Sequence, residues 1–206
     1  MINKRYFHKP QEYGTTLLAM KEHVEAIASG KRPEEIWWLE HEAVITAGTS
    51  ARAEDLINAG PLPVIPAGRG GQYTIHNPGQ RVIYPMIKAE RTGGDVRAYL
   101  RILEQWIING LQEFGISAYL CDGQTGVWVQ HNGRDAKIAA MGIRVSRGIY
   151  FHGISINVCN KLSDFQRIVP CGIHDKGVTS VTNLVPSTTM EKVDKALNYH
   201  LPNILR

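Results

Sequence analysis

The chain has 206 residues, 43% of them hydrophobic and 20% charged, with a formal net charge of +4. That length supports a sizeable core, and that balance belongs to a globular protein, not a disordered one. The basic excess is scattered without a stripe, which speaks against a nucleic-acid module, and no run nears the roughly 20 apolar residues a membrane-spanning helix needs.

In chain order, Met1 to Pro10 carries Lys4, Arg5, His8 and Lys9 and lacks the apolar centre of a signal peptide. Tyr13, Leu17, Val24 and Ile27, with Leu18 and Met20 beside them, fit one face of a helix ending at Ser29-Gly30. Ile36 to Leu39 reads as a buried strand, interrupted at His41-Glu42 and continued by Ala43 to Thr46. Ala53 to Ala59 reads as a short helix stopped by Gly60-Pro61, and a loop with Pro61, Pro63 and Pro66 leads to Arg69. Adjacent Gly70 and Gly71 let backbone N–H groups approach a ligand. Gln72 to His76 then alternates, with Tyr73 and Ile75 on one face and Gln72, Thr74 and His76 on the other. Asn77-Pro78-Gly79-Gln80 suits a type II turn, which splays its flanking strands, so a tight hairpin with Arg81 to Tyr84 is not implied.

Asp95 can cap a long helix carrying Tyr99, Leu103, Trp106, Leu111 and Phe114 and stopped by Gly115. Ile116 to Leu120 reads as a strand. Val127 to His131, the Asn132-Gly133 turn and Ala136 to Val145 read as a hairpin. Arg147-Gly148 turns the chain into an alternating strand, Ile149 to Val158. Leu162 to Val169 reads as a short helix broken by Pro170, Val178 to Leu184 as a β-rich run, and Thr188 with Glu191 as the capping box of a last helix. Strands in runs with helices between them predict an α+β fold built on a mixed β-sheet, in a single domain over residues 1–206.

Three cysteines, Cys121, Cys159 and Cys171, an odd number with no CxxC pair, predict reduced thiols, a cytoplasmic location and no zinc site. Cys121 and Cys159 sit at strand ends and fit small buried hydrophobes, whereas Cys171 lies between Pro170 and Gly172 in an open loop. A free thiol is only ~3% thiolate at pH 7, so a nucleophilic cysteine needs a cation or base nearby. Lys137 is the candidate, because Ala139, Ala140 and Gly142 after it leave room above the sheet. Spacing alone favours a solvated edge-strand lysine, since sequence does not show that Lys137 meets Cys171. His76 and His152 could each partner a cysteine or be structural. Nothing suggests a metal site, a G-x-S-x-G serine hydrolase or a Walker loop.

Three blocks now stand in order: Arg69 to Gln80; Lys137 to Val145 with Phe151-His152-Gly153; and Val169 to Ile173 with Gly177 to Ser180. Together they resemble the lipoyl(octanoyl) transferases, over roughly residues 31–185. His41-Glu42-Ala43 departs from a His-x-Pro form common in that family, which is expected to alter a loop and not the chemistry. The resemblance implies the catalytic-domain fold of biotin and lipoate protein ligases, a mixed sheet flanked by helices. It implies transfer of an octanoyl group, without cofactor, from acyl carrier protein to a lysine of lipoyl domains, those of 2-oxoacid dehydrogenases and of the glycine-cleavage H protein. It makes Cys171 the thioester nucleophile and Lys137 the residue that lowers its pKa. It builds the acyl pocket from Arg69, Gly70, Gly71, Gln72, Tyr73, Thr74, Ile75 and His76, from Ala140, Met141 and Gly142, and from Gly153, Ile154 and Ser155. Arg81, Arg144 and Arg147 would suit acidic partner domains. The nearest rival is an ATP-dependent lipoate or biotin ligase on the same fold, which would use Lys137 but has no need of Cys171. A thiol-sensing or binding module without catalysis is the other.

Overall fold

The computed structural model describes residues 2–169 and 176–206. Strand β1 (Asn3–Tyr6) was not legible, since Asn-Lys-Arg-Tyr carries no apolar alternation. It runs parallel to β2 (Glu35–Leu39). Helix α1 (Tyr13–Ala28) joins them, with the Glu12 carboxylate capping the N–H groups of Gly14 and Thr15. Gly30, at φ +73°, follows the C-cap Ser29 as anticipated.

The next strand, β3 (Val44–Ala47), does not continue β2 as expected. It belongs to a second sheet, parallel to β4 (Val64–Pro66) and antiparallel to β5 (Tyr73–His76). The chain is turned between the two sheets at His41, whose ring is tied to the Gln11 carbonyl and the Tyr84 hydroxyl. The expected helix over Ala53 to Ala59 is one 3-10 turn, Ala53–Asp55. Leu56 instead forms a β-bridge with Ile168, and the Ile57 and Asn58 N–H groups bond to the Arg167 carbonyl. Gly79 at φ +89° and a Gln80 N–H to Asn77 carbonyl bond fit the predicted type II turn. The strands it joins lie in different sheets, because β6 (Gln80–Lys88) sits in the large sheet between β2 and the later strand over Ile149–Asn157. It outruns its expected end at Tyr84 by passing through Pro85.

Helix α2 (Val96–Gln112) starts at Asp95, whose carboxylate accepts from the Arg97 and Ala98 N–H groups. Strand β7 (Tyr119–Cys121) begins later than expected. β8 (Gln124–His131), β9 (Arg134–Ser146) and β10 (Ile149–Asn157) form the two anticipated hairpins. Positive φ at Asn132 and Gly133, and again at Arg147 and Gly148, matches type I′ turns. β10 is buried along its whole length, unlike the half-exposed strand its alternation predicted. Residues Leu162–Arg167 form a 3-10 helix. The β-rich run is corrected after β11 (Gly177–Val178): Ser180 caps a short helix, α3 (Val181–Leu184). The cap of α4 (Met190–Tyr199) is Thr189, not Thr188, which is buried.

Among the described residues, eight strands make one sheet in the order β1-β2-β6-β10-β9-β8-β7, with β11 parallel to β9. Strand alternation gives it two apolar faces. Ile36, Trp38, Ile83, Ile87, Tyr150 and Ile154 pack against Tyr99, Leu103 and Trp106 of α2 and Val193 and Leu197 of α4. Trp37, Leu39, Val82, Tyr84 and Met86 pack against Tyr13, Leu17, Met20 and Val24 of α1. The small sheet has its own cluster, Ile45 and Ile75 with Phe165 and Ile168. Two helical layers around a mixed sheet is the predicted architecture. No helix among the described residues is long and apolar enough to cross a membrane.

Candidate active site

The small sheet leaves a recess against the α1-side face of the large one. Its cavity volume is about 50 Å³, below the usual range for small-molecule sites. Arg69, Gly71, Gln72, Tyr73, Thr74 and His76 line it from one side. Ala140, Met141 and Gly142 of β9 and Gly153, Ile154 and Ser155 of β10 line it from the other. These segments are adjacent because Gly153 pairs with Gly142 and Ser155 with Ala140. Two expected members are placed differently. Gly70 lies in a neighbouring groove, its N–H bonded to the Ile143 carbonyl. Ile75 is turned into the small-sheet core.

The glycines serve backbone approach. A Cβ on Gly153 would stand 2.1 Å from the Ile83 carbonyl oxygen, and one on Gly142 would stand 2.8 Å from Arg69 Cδ. Arg69 is buried, and its guanidinium donates to the carbonyls of Gly70, Gln72 and Thr46 and to Thr46 Oγ1, at 2.8–3.1 Å. It therefore pins the Gly-Gly loop to β3.

The inner end of the recess holds Tyr13, Tyr84 and His152, which the sequence reading did not place there. His152 has φ +59°, and its ring stacks on that of Phe151, 4.7 Å away, a contact regular strand neighbours cannot make. Burial pushes its pKa down to about 3, with Arg69 adding to the effect. His41 is lowered to about 4 by burial, against the Gln11 carbonyl that would favour its charged form. Since that carbonyl only accepts, His41 Nδ1 donates and Nε2 accepts from the Tyr84 hydroxyl at 2.8 Å. His76, fully buried, is held well below its ordinary value by desolvation, and it bonds through Nδ1 to Gln80 Oε1 at 2.7 Å. Tyr13 is raised to about 12 by burial. At neutral pH this end is a set of uncharged rings.

Lys137 is 7% exposed in an interior strand, so the solvated edge lysine is excluded. Its Nζ donates to the Thr125 carbonyl at 3.0 Å and stands 4.6 Å from the centroid of the Trp128 ring. It opens on a small cavity with Thr74, Ala140 and Ser155, all of which also line the larger recess. Strict alternation would put Lys137 and Ala140 on opposite faces. A bulge removes the conflict: Val127 pairs with Ala139 and Trp128 with Lys137, leaving Ile138 unpaired. Ile138 and Ala139 both enter the α2-side core, and Lys137 and Ala140 both face the cavity.

Cys171, with Pro170, Gly172 and Ile173, lies outside the described residues. Its flanks border the lysine. Phe165 and Val178 line the Lys137 cavity, Val178 pairs with Lys137, and the Thr179 N–H bonds to the Lys137 carbonyl at 3.1 Å. Cys159 is exposed and Cys121 half-buried, so Cys159 is not the buried hydrophobe expected. Cys121 Sγ lies 3.4 Å from Lys176 Nζ, which is paired with Asp135 at 2.8 Å.

Residues 12–201 match the family described as the lipoyl protein ligase A/B catalytic domain. The chain belongs to that family. It is 46% identical over 204 residues to an octanoyltransferase of Paramagnetospirillum magneticum, covering 98% of this chain and 96% of the relative. It is 48% identical to one of Cereibacter sphaeroides, covering 90% and 89%. Among solved structures, a bi-partite lipoate protein ligase of Thermoplasma acidophilum superposes with a TM-score of 0.73 at 15% identity, covering 100% of this chain and 84% of that one. Lipoate-protein ligase A bound with ATP gives 0.71 at 16% identity, covering 99% and 86%. At such identities the two ligases bear on the fold alone: the biotin/lipoate ligase catalytic fold.

Proposed function

We propose that this chain moves an octanoyl group from acyl carrier protein to a lysine of lipoyl domains through a thioester on Cys171. Octanoyl transfer in protein lipoylation, an acyltransferase activity, rests on the curated relatives at 46% and 48% identity. The observation that carries the site assignment is the buried Lys137 side chain, opening on a cavity that shares Thr74, Ala140 and Ser155 with the recess and is lined by Phe165 and Val178 from either side of Cys171.

The cycle starts from a Cys171 thiolate beside a Lys137 ammonium. The thiolate attacks the carrier thioester, the enzyme thioester forms, and the departing carrier thiolate takes a proton from Lys137. The acceptor amine then attacks the enzyme thioester and gives its proton to the neutral Lys137. Amide forms, and thiolate and ammonium are regenerated. Thioester exchange is nearly isoenergetic and amide formation is downhill, so no ATP enters. The alkyl tail lies along β9 and β10 toward the uncharged rings. At ~3.3 Å per residue the three registers from Ala140 to Ile143 span about 10 Å, the length of an extended medium-length chain, and the side chains lining the cavity of about 50 Å³ must part to admit it. Each buried methylene contributes about 0.8 kcal/mol to selection by length. A cytosolic setting goes with the reading, because the mechanism needs a reduced thiol.

Docking of acidic partners does not use Arg81, which is buried in a two-bond pair with Asp194 at 2.8 and 2.9 Å. Arg147 is exposed and only loosely placed, 3.8 Å from Glu25. The deciding experiment is intact-protein mass spectrometry after mixing with octanoyl-acyl carrier protein without ATP. The expected result is one octanoyl mass on Cys171, discharged by a lipoyl domain. Acceptor modification only with free octanoate and ATP would replace the transferase with a ligase.

A further inference from the structure

Glu104 is a carboxylate on the inward face of α2, 7% exposed, among Tyr99, Leu103 and Trp106. A buried carboxylate in an apolar layer is costly without a specific partner. Its partner is the Gly126 N–H, at 2.9 Å from Oε1. Gly126 has φ +122°, and a Cβ there would stand 2.7 Å from the Ala139 carbonyl oxygen and 3.2 Å from Lys137 Cε. The backbone of Gly126 thus lies directly against the lysine stem, beside the bulge opposite Ile138. The carbonyl one residue earlier, that of Thr125, is the acceptor of the Lys137 ammonium.

We infer that Glu104 is a positioning residue for Lys137. By holding the Gly126 N–H it fixes the orientation of the single Thr125–Gly126 peptide plane, and so aims the carbonyl that orients the ammonium. The inference rests on the assignment of Lys137 to proton transfer. The hydrogen bond is the operative feature, since the carboxylate faces a neutral amide. A carboxamide that keeps its oxygen in place satisfies the same N–H, and a shorter acid does not.

The test compares Glu104→Gln, Glu104→Asp, Glu104→Leu and Lys137→Ala in pH profiles of octanoyl transfer, with thermal melts alongside. Glu104→Leu and Glu104→Asp are expected to lower kcat about 10- to 100-fold, the cost of a misplaced catalytic group. KM for the acyl donor should stay within about twofold, and the pH limb should move by about one unit. Glu104→Gln should keep kcat and the limb close to the starting enzyme. A loss of melting temperature with kcat and limb unchanged in the Leu or Asp variant would leave Glu104 a packing residue and overturn the inference. So would Gln failing as badly as Leu, which would make charge the operative feature. Full activity in Lys137→Ala would instead sink the lysine assignment, a separate result. Should Glu104→Leu not fold, the Asp and Gln pair decides.

Discussion

The two ends of the candidate site are both buried but differ in their side chains, aromatic rings at one and a lysine at the other. The inner end keeps Tyr13, His41, His76, Tyr84 and His152 uncharged, because desolvation there outweighs the groups that would favour ionisation. At the outer end Lys137 has the Thr125 carbonyl and the Trp128 ring for partners. On the proposed reading the rings would face the alkyl tail and Lys137 would face the thioester and the amine.

The sharpest way to break the contrast is to remove the cation. Lys137→Ala should lower octanoyl transfer by about 10²-fold or more with an unchanged melting curve. Activity near the starting level in a coupled transfer assay would refute its role. Closing the slot is next. Gly153→Ala places a methyl against the Ile83 carbonyl and should cost about 1–3 kcal/mol in denaturant unfolding; an unchanged midpoint would show that the strands can part there.

Titration sharpens the inner end. Folded His41 and His152 hold their protons less tightly than free imidazole, near 6.5, so the unfolded chain takes up protons that the folded one does not. Stability should be full above about pH 6.5 and fall as pH drops toward 4, by up to about 1.4 kcal/mol per pH unit per ring. Urea unfolding across that window should show the slope, and His41→Gln should flatten it. An unaltered slope would mean that His41 is protonated in the folded protein. The smallest effect is at the rim: Arg147→Glu should weaken carrier affinity about two- to fivefold at low salt and not at high salt. Equal affinities at both would remove Arg147 from docking.

Much of this was legible wherever local chemistry and fold agree. Asn132-Gly133 specifies its turn through two residues that tolerate positive φ, whereas at Arg147-Gly148 only the glycine does so and Arg147 takes φ +49° at a cost; the strands between them follow. The small sheet was not legible, because β4 hides among Pro61, Pro63 and Pro66 and finds its parallel partner only in three dimensions. Val178 to Leu184 misled because its β-branched residues outvote Ser180, whose side chain starts a helix. At the site, the motif residues pointed to the recess. Its inner end was hidden, since Tyr13, His41 and Tyr84 arrive from three distant elements. The position of Lys137 was hidden as well, because no periodicity reveals that Ile138 is an unpaired residue.

The two-residue strand β11 ties the chain that follows Cys171 to the lysine itself, through the Val178–Lys137 pair and the Thr179 N–H to Lys137 carbonyl bond. In the language of native-state hydrogen exchange, the chain after Cys171 and the strand of Lys137 share one opening unit. The Thr179 amide cannot exchange without breaking the ladder at Lys137. Exchange at that amide therefore reports how often β11 parts from β9 at Lys137.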